Sequence, residues 1–201
     1  MTSPAQDLEI VPLTRERFAD VAALFGQGGD PKWCWCAFWR VRGLDWTNAT
    51  ADSNRERLRK LARKDPAPGL IAYLDGEAVG WVGLGPRSSF DRLQHSKVLA
   101  PIDDKPVWSI VCFVVARKRR GRGIARALLD GAVSYARDHG ATLLEGYPAE
   151  TSGRISAASA YKGTVGMFED AGFEVVERRQ WNKTTPVRPI VRRAVRPSRG
   201  A

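Results

Sequence analysis

The sequence predicts an α/β domain of the α+β kind, built on a central mixed sheet with elements in the order ααβββαβαββ. Three stretches carry that expectation. LIAYL, then Asp75-Gly76, then AVGWVGL reads as a hairpin, two β-prone runs about an Asp-Gly turn. VWSIVCFVVA, Val107 to Ala116, is nearly all apolar and rich in β-branched and aromatic residues, the pattern of a strand buried on both faces. Ile124, Leu128, Leu129, Ala132, Val133 and Ala136 then share one side of a helix that stops at His139-Gly140. Strands alternating with helices imply a layered sheet.

The other elements follow in order. Thr14 caps a first helix carrying Phe18, Val21, Ala22 and Phe25, and GQGGDP breaks it. WCWCAFW follows, Trp33 to Trp39. Ser53 with Glu56 three residues on is a capping-box pattern opening a second helix, with Leu58, Leu61 and Ala62 on one face, ending before Pro66. Residues 86–106 are a long polar connection. ATLLEGYP is a further strand, and roughly Ala157 to Ala171 a short helix. GFEVVERRQW and PVRPIVRRA form a closing strand pair. No internal repeat is present. Residues 1–195 are expected as one domain, with 1–68 its helical N-terminal part carrying substrate-side elements, and 196–201 as a basic tail.

Composition narrows the function. An apolar share of 43% with seven Trp and seven Phe suffices for a core, which excludes wholesale disorder. No apolar run approaches the roughly 20 residues that span a bilayer, and MTSPAQDLEIVPL lacks the pattern of a signal peptide. A soluble, cytoplasmic protein without membrane association is expected. Cys34, Cys36 and Cys112 are too few and too unevenly spaced for a disulfide framework, and with His95 and His139 far away no metal site is expected. The net charge of +10 asks for an anionic partner: nucleic acid, a membrane surface or a phosphorylated small molecule.

RKRRGRGIARALL, Arg117 to Leu129, bears on that choice. It leaves a buried strand and opens directly into a helix. Gly121 and Gly123 let the backbone turn tightly and approach a ligand closely. The first helical turn offers unpaired N–H groups and the positive end of the helix dipole, an anion site suited to a phosphate or pyrophosphate. Gly-Lys-Ser/Thr is absent and the glycine spacing is not G-x-G-x-x-G, which excludes two common phosphate loops.

What remains, Lys118-x-x-Gly121-x-Gly123-Ile124-Ala125, resembles the acyl-CoA-binding motif of the GNAT superfamily of N-acetyltransferases, Gln/Arg-x-x-Gly-x-Gly/Ala, with Lys118 a mild departure in first position. The resemblance runs from about Leu8 to Ala194: PGLIAYLDGEAVGWVGLGPR is similar to the family's second and third strands, and MFEDAGFEVV, Met167 to Val176, to its Y-x-x-x-G-F close. WCWC near the N-terminus resembles a bacterial subgroup with a Cys-Trp-Cys segment. The resemblance implies an acetyl-CoA-dependent N-acetyltransferase that moves an acetyl group to an amine of a small molecule or peptide by direct attack in a ternary complex. It implies donor contacts from the backbone of Phe113, Val114 and Val115 and from Lys118, Arg119, Arg120, Gly121, Arg122, Gly123, Ile124 and Ala125. A nucleic-acid-binding module, or an acyl-CoA-binding module without catalysis, is the alternative; no RNP, zinc-finger or helix-turn-helix pattern accompanies the charge, so no specific nucleic-acid partner is expected. A homodimer is left open.

Candidate site residues outside the loop each have two readings. Glu145 on the second central strand is the nearest carboxylate for a general base, or a salt-bridge partner. Phe168 stands where the family commonly has the tyrosine acid. Tyr161 and Tyr147 are the substitutes, or packing residues. Trp33, Trp35 and Trp39 wall an acceptor pocket or pack against the sheet. Arg87 binds an acidic acceptor group or is an exposed loop arginine.

Overall fold

The computed structural model describes residues 7–150 and 161–196. Seven strands form one sheet in the order β1-β2-β3-β4-β5-β7-β6. They are β1 (Leu8–Pro12), β2 (Gly69–Leu74), β3 (Glu77–Pro86), β4 (Trp108–Val115), β5 (Leu143–Gly146), β6 (Glu174–Arg179) and β7 (Arg188–Ala194). Every neighbouring pair is antiparallel except β4 and β5, so the sheet is mixed, as expected. The hairpin turn places Asp75 at φ 51° and Gly76 at φ 79°, the double left-handed geometry that selects Asp-Gly.

Seven helices accompany the described strands: α1 (Phe18–Gly26), α2 (Pro31–Cys34), α3 (Gly43–Thr47), α4 (Ala51–Leu61), α5 (Asp91–Gln94), α6 (Ile124–Asp138) and α7 (Val165–Asp170). α6 buries the predicted stripe, Ile124, Leu128, Leu129, Ala132, Val133 and Ala136. It lies so close to the sheet that a Cβ at Gly80 would come within 2.9 Å of Ile124 and Leu128, and one at Gly131 within 2.5 Å of Ile10. A Leu128→Ala change there costs about 2–5 kcal/mol. The helix ends in a Schellman motif: Ala141 N–H bonds Ala136 O at 2.9 Å, Gly140 N–H bonds Arg137 O at 3.0 Å, and Gly140 sits at φ 80°. On the opposite face, Phe25 of α1 meets Trp81 of β3 edge-on at 5.9 Å.

Local expectations are corrected in five places. The chain opens on β1, not on a helix; LEIVP is a five-residue edge strand, too short for alternation to declare it. Thr14 does not cap α1, which starts at Phe18 with no side-chain cap. The cap of α4 is Thr50, reciprocated by Ser53, while Glu56 pairs with Arg59 at 2.7 Å. The last helix is α7, capped by the Thr164 hydroxyl at Met167 N–H (3.0 Å); the expected start at Ala157 lies outside the described residues, as does nearly all of the 196–201 tail. The 86–106 connection also holds α5 and buries Arg87, Phe90, Leu93 and Leu99, so its polarity conceals a packed underside.

All three cysteines are free. Cys36 Sγ lies 3.1 Å from Cys112 Sγ and accepts the Trp81 indole N–H at 3.0 Å, fastening the N-terminal aromatic segment to β4. No helix of the described chain is long and apolar enough to cross a membrane.

Candidate active site

Strands β4 and β5 pair only over Trp108–Ile110 and Leu144–Gly146, and then part. A bulge helps to part them: Cys112 faces Gly83 and Ile110 faces Leu84, leaving Val111 extra and bending β4. Residues 161–164 run into the gap. Tyr161 O accepts the Phe113 N–H at 2.6 Å, and Ala149 N–H donates to Gly163 O at 3.0 Å. Strand periodicity puts the N–H and C=O of Val115 on that same edge, where the carbonyl accepts Arg120 Nε at 3.2 Å.

From this edge the chain passes through a 3-10 turn, Arg117–Arg119, into the loop. Gly121 and Gly123 take φ 74° and 76°, and Gly123 is the N-cap of α6 with no side-chain cap. A Cβ at either glycine would meet nothing within 4 Å, so the requirement is backbone conformation and open access, not packing. Arg119 pairs with Glu77 at 2.9 Å. Arg117, Lys118 and Arg122 are exposed and make no side-chain hydrogen bond or ion pair with described residues. Uncapped N–H groups thus face a field of uncompensated cations, the arrangement that holds a phosphate.

Across the sheet, Glu145 of β5 is almost completely buried between two arginines. Arg87 Nη1 lies 2.8 Å from Oε1, and Arg192 Nε of β7 lies 2.8 Å from Oε2. Tyr147 Oη donates to Oε1 at 2.6 Å, accepts from Arg87 Nη1 at 2.6 Å, and lies 2.9 Å from Ser109 Oγ. Arg192 also binds Asp103 at 2.7 Å, which lowers the Asp103 pKa. Arg87 gives its other nitrogen to the carbonyls of Leu93 (3.0 Å) and Leu99. Burial first, and then the charge of Glu145, raise the Tyr147 phenol far above its ordinary value.

Beside this network lies a cleft of about 490 Å³ walled by Phe38, Trp39, Tyr147, Tyr161 and Trp181. The Trp39 and Tyr147 rings are 6.2 Å apart. Burial pushes the Tyr161 phenol up to about 12, so it keeps its proton at neutral pH. Lys162, next in the chain, also lines the cleft and is 9% exposed. A cavity of about 600 Å³ lies elsewhere, by Thr14, Asp65 and His139 near the C-terminal end of α6, remote from the loop.

Residues 35–162 match the model of the acetyltransferase (GNAT) family, well over half of the chain. The chain belongs to the GNAT family. Solved structures agree in fold. A GNAT-family acetyltransferase from Streptococcus pneumoniae is 16% identical over 94% of this chain and 99% of its own, with a TM-score of 0.56. The polyamine N-acetyltransferase of Drosophila melanogaster, which forms N-acetylagmatine, is 12% identical over 94% and 100%, TM-score 0.56. The aminoglycoside N-acetyltransferase AAC(6')-Iy, solved with CoA, is 15% identical over 92% and 99%, TM-score 0.55. Among curated proteins there is no significant match.

Within the GNAT frame, the structure brings Phe113, Val115 and the 117–125 loop to one edge, while Val114 points its backbone toward β3. Tyr147 and Tyr161 reach the cleft; Glu145 and Arg87 stop beneath it, bonded to each other. Trp35 is core, stacked 6.2 Å from Phe18 with its indole N–H on Lys32 O. Trp33 packs edge-on against Trp46 at 4.9 Å and does not line the cleft. Phe168 is fully buried, its ring where a Cβ on Gly146 would stand (2.4 Å) and edge-on to Phe113 at 6.1 Å. Arg192, Lys162, Arg188 and Trp181 were not singled out by sequence. Arg192 lay in a run of arginines with nothing to mark the inward one, and Lys162 follows Tyr161 in a stretch of small and polar residues.

Proposed function

We propose that this GNAT chain transfers an acetyl group from acetyl-CoA to an amine by direct attack in a ternary complex. The observation that supports it most is continuous: the parted edge of β4, two left-handed glycines and the uncapped start of α6 follow one another between Phe113 and Ile124. The amides of Gly123, Ile124 and Ala125 and the charges of Arg117, Lys118 and Arg122 hold the donor's phosphates. The Val115 and Phe113 backbone holds its pantetheine arm, and an edge N–H polarises the thioester carbonyl.

The aromatic cleft on the other face receives the amine. No carboxylate lines it among the described residues, so the amine gives its proton to water. Glu145 acts as the anchor that orients Arg87 and Tyr147, because three donors already claim its two oxygens. Tyr161, protonated and beside the parted strands, protonates the departing thiolate. CoA thiolate is a tolerable leaving group near neutral pH, which makes this contribution modest.

The test is calorimetry with acetyl-CoA. Gly123→Val places a β-branched residue at φ 76° and blocks close approach, so affinity falls by more than about 100-fold. Unchanged affinity overturns the assignment. A thiol-release assay across an amine panel then reads transfer, and Tyr161→Phe lowers kcat by up to about 100-fold with KM little changed.

A further inference from the structure

The basic side chains that line the acceptor cleft are Arg42, Arg92, His95, Lys162 and Arg188, and no acidic residue lines it among the described residues. Three of them are already engaged. Arg42 and His95 share Asp91, each at 3.0 Å. Arg92 bonds the carbonyls of Phe38 (2.6 Å) and Val41 (2.9 Å) and stacks on Phe38. Lys162 and Arg188 are different. Neither makes a side-chain hydrogen bond or ion pair with any described residue, although Lys162 is nine-tenths buried. Among the described residues the Lys162 ammonium has only the Tyr161 ring, 5.4 Å away.

Two like charges held together in a partly dry cleft repel each other and lose hydration, and no carboxylate among the described residues offsets the cost. The strain is visible in the Lys162 amine, which burial and then Arg188 bring down to about 8. Trp39 walls the same cleft with its ring, its indole N–H buried and without an acceptor among the described residues.

We propose that the acceptor amine carries an anionic group, a carboxylate or a phosphate, received by Lys162 and Arg188. This rests on the transferase function proposed above and names its substrate class. The aromatic walls of Phe38, Tyr147 and Trp181 hold the body of the acceptor while the cations hold its anion. Burying an anion between two uncompensated cations removes their repulsion as well as adding attraction, so discrimination against the plain amine is large for a single group.

Matched acceptors test it in the thiol-release assay. Serine and O-phosphoethanolamine add a carboxylate or a phosphate to ethanolamine, and tryptophan adds a carboxylate to tryptamine. The expected result is a preference of at least about 10-fold in kcat/KM for an anionic member, the two series telling carboxylate from phosphate. Lys162→Met and Arg188→Gln bring that ratio toward one, chiefly through KM. Equal rates, or a preference for the plain amines, overturn the proposal.

If none of these amines turns over, direct binding decides. Indole-3-propionate and tryptamine are titrated calorimetrically into the protein saturated with CoA. Carboxylate binding that weakens about 10-fold or more in Lys162→Met supports the proposal. Absent carboxylate binding, or binding indifferent to Lys162→Met, overturns it. A wild-type chain that fails to bind CoA overturns the transferase function instead, and titration of the free protein still reads the charge preference of the cleft.

Discussion

Two groups of arginines divide this molecule. Arg117 and Arg122 are exposed ahead of α6 with no side-chain partner among the described residues, whereas Arg87 and Arg192 lie almost wholly buried on Glu145. The side-chain chemistry is identical and the setting reverses its use. In the loop the guanidinium keeps its hydration and its freedom, and is available to a phosphate at little cost. Beneath the cleft the same group has given up water for fixed acceptors, and any change leaves a charge stranded. Net charge therefore says little about which arginines bind ligand; the state of desolvation says more.

Glu145→Gln breaks the buried half. Neutralising the carboxylate leaves Arg87 and Arg192 facing each other, at a cost of about 3–5 kcal/mol, which lowers Tm by about 6–20 °C in a chain of this size. Acetyl-CoA affinity stays near that of the parent. A thermal scan with no shift, coupled to a collapse of kcat, would instead make Glu145 the base and undo the contrast.

Lys162 is the intermediate case, buried like Arg87 yet, like Arg122, without an ion-pair partner among the described residues, and pH sharpens it. Its pKa is about 8 in the fold and about 10.5 ordinarily, so between those values the unfolded chain binds more protons than the folded one. Stability therefore gains from this residue as pH rises through that window, by at most about 1.4 kcal/mol per unit. Urea unfolding of the parent and of Lys162→Met at pH 8 and pH 10 isolates the gain, which the variant lacks. Equal changes in the two proteins mean that the amine is better solvated than its burial suggests.

The smallest effect belongs to the exposed group. Arg122→Gln weakens acetyl-CoA by a few-fold at low salt, and the deficit fades as salt screens the field, with no change in Tm. A Tm shift in this variant erases the distinction between the two sets.

The sequence disclosed the parts governed by local rules. Asp75-Gly76 dictated its turn, the apolar run of β4 its central place, and the stripe of α6 its buried face. The loop's backbone geometry was legible because glycines announce main-chain demands. The cleft was not. Arg192 and Glu145 are 47 residues apart, and only the β5–β7 pairing sets them side by side. Trp35 and Trp39 were equally eligible as pocket walls; left-handed turns at Trp35 and Cys36, φ 48° and 52°, send one into the core and the other to the cleft. Nothing in a string of letters distinguishes a lysine with a partner from one without.

The bond from Phe113 N–H to Tyr161 O sets the order of events on the proposed function. A pantetheine carbonyl arriving at that amide would replace the Tyr161 carbonyl instead of adding a bond, so this one contact is an exchange within donor binding. Its observed rate then levels off with concentration at the pace at which residue 161 lets go. Tyr161 and Lys162 also form one wall of the acceptor cleft, and the same release redraws that wall. On the proposed function the acceptor would meet its finished seat only after the donor is in place, which orders the two substrates, donor first.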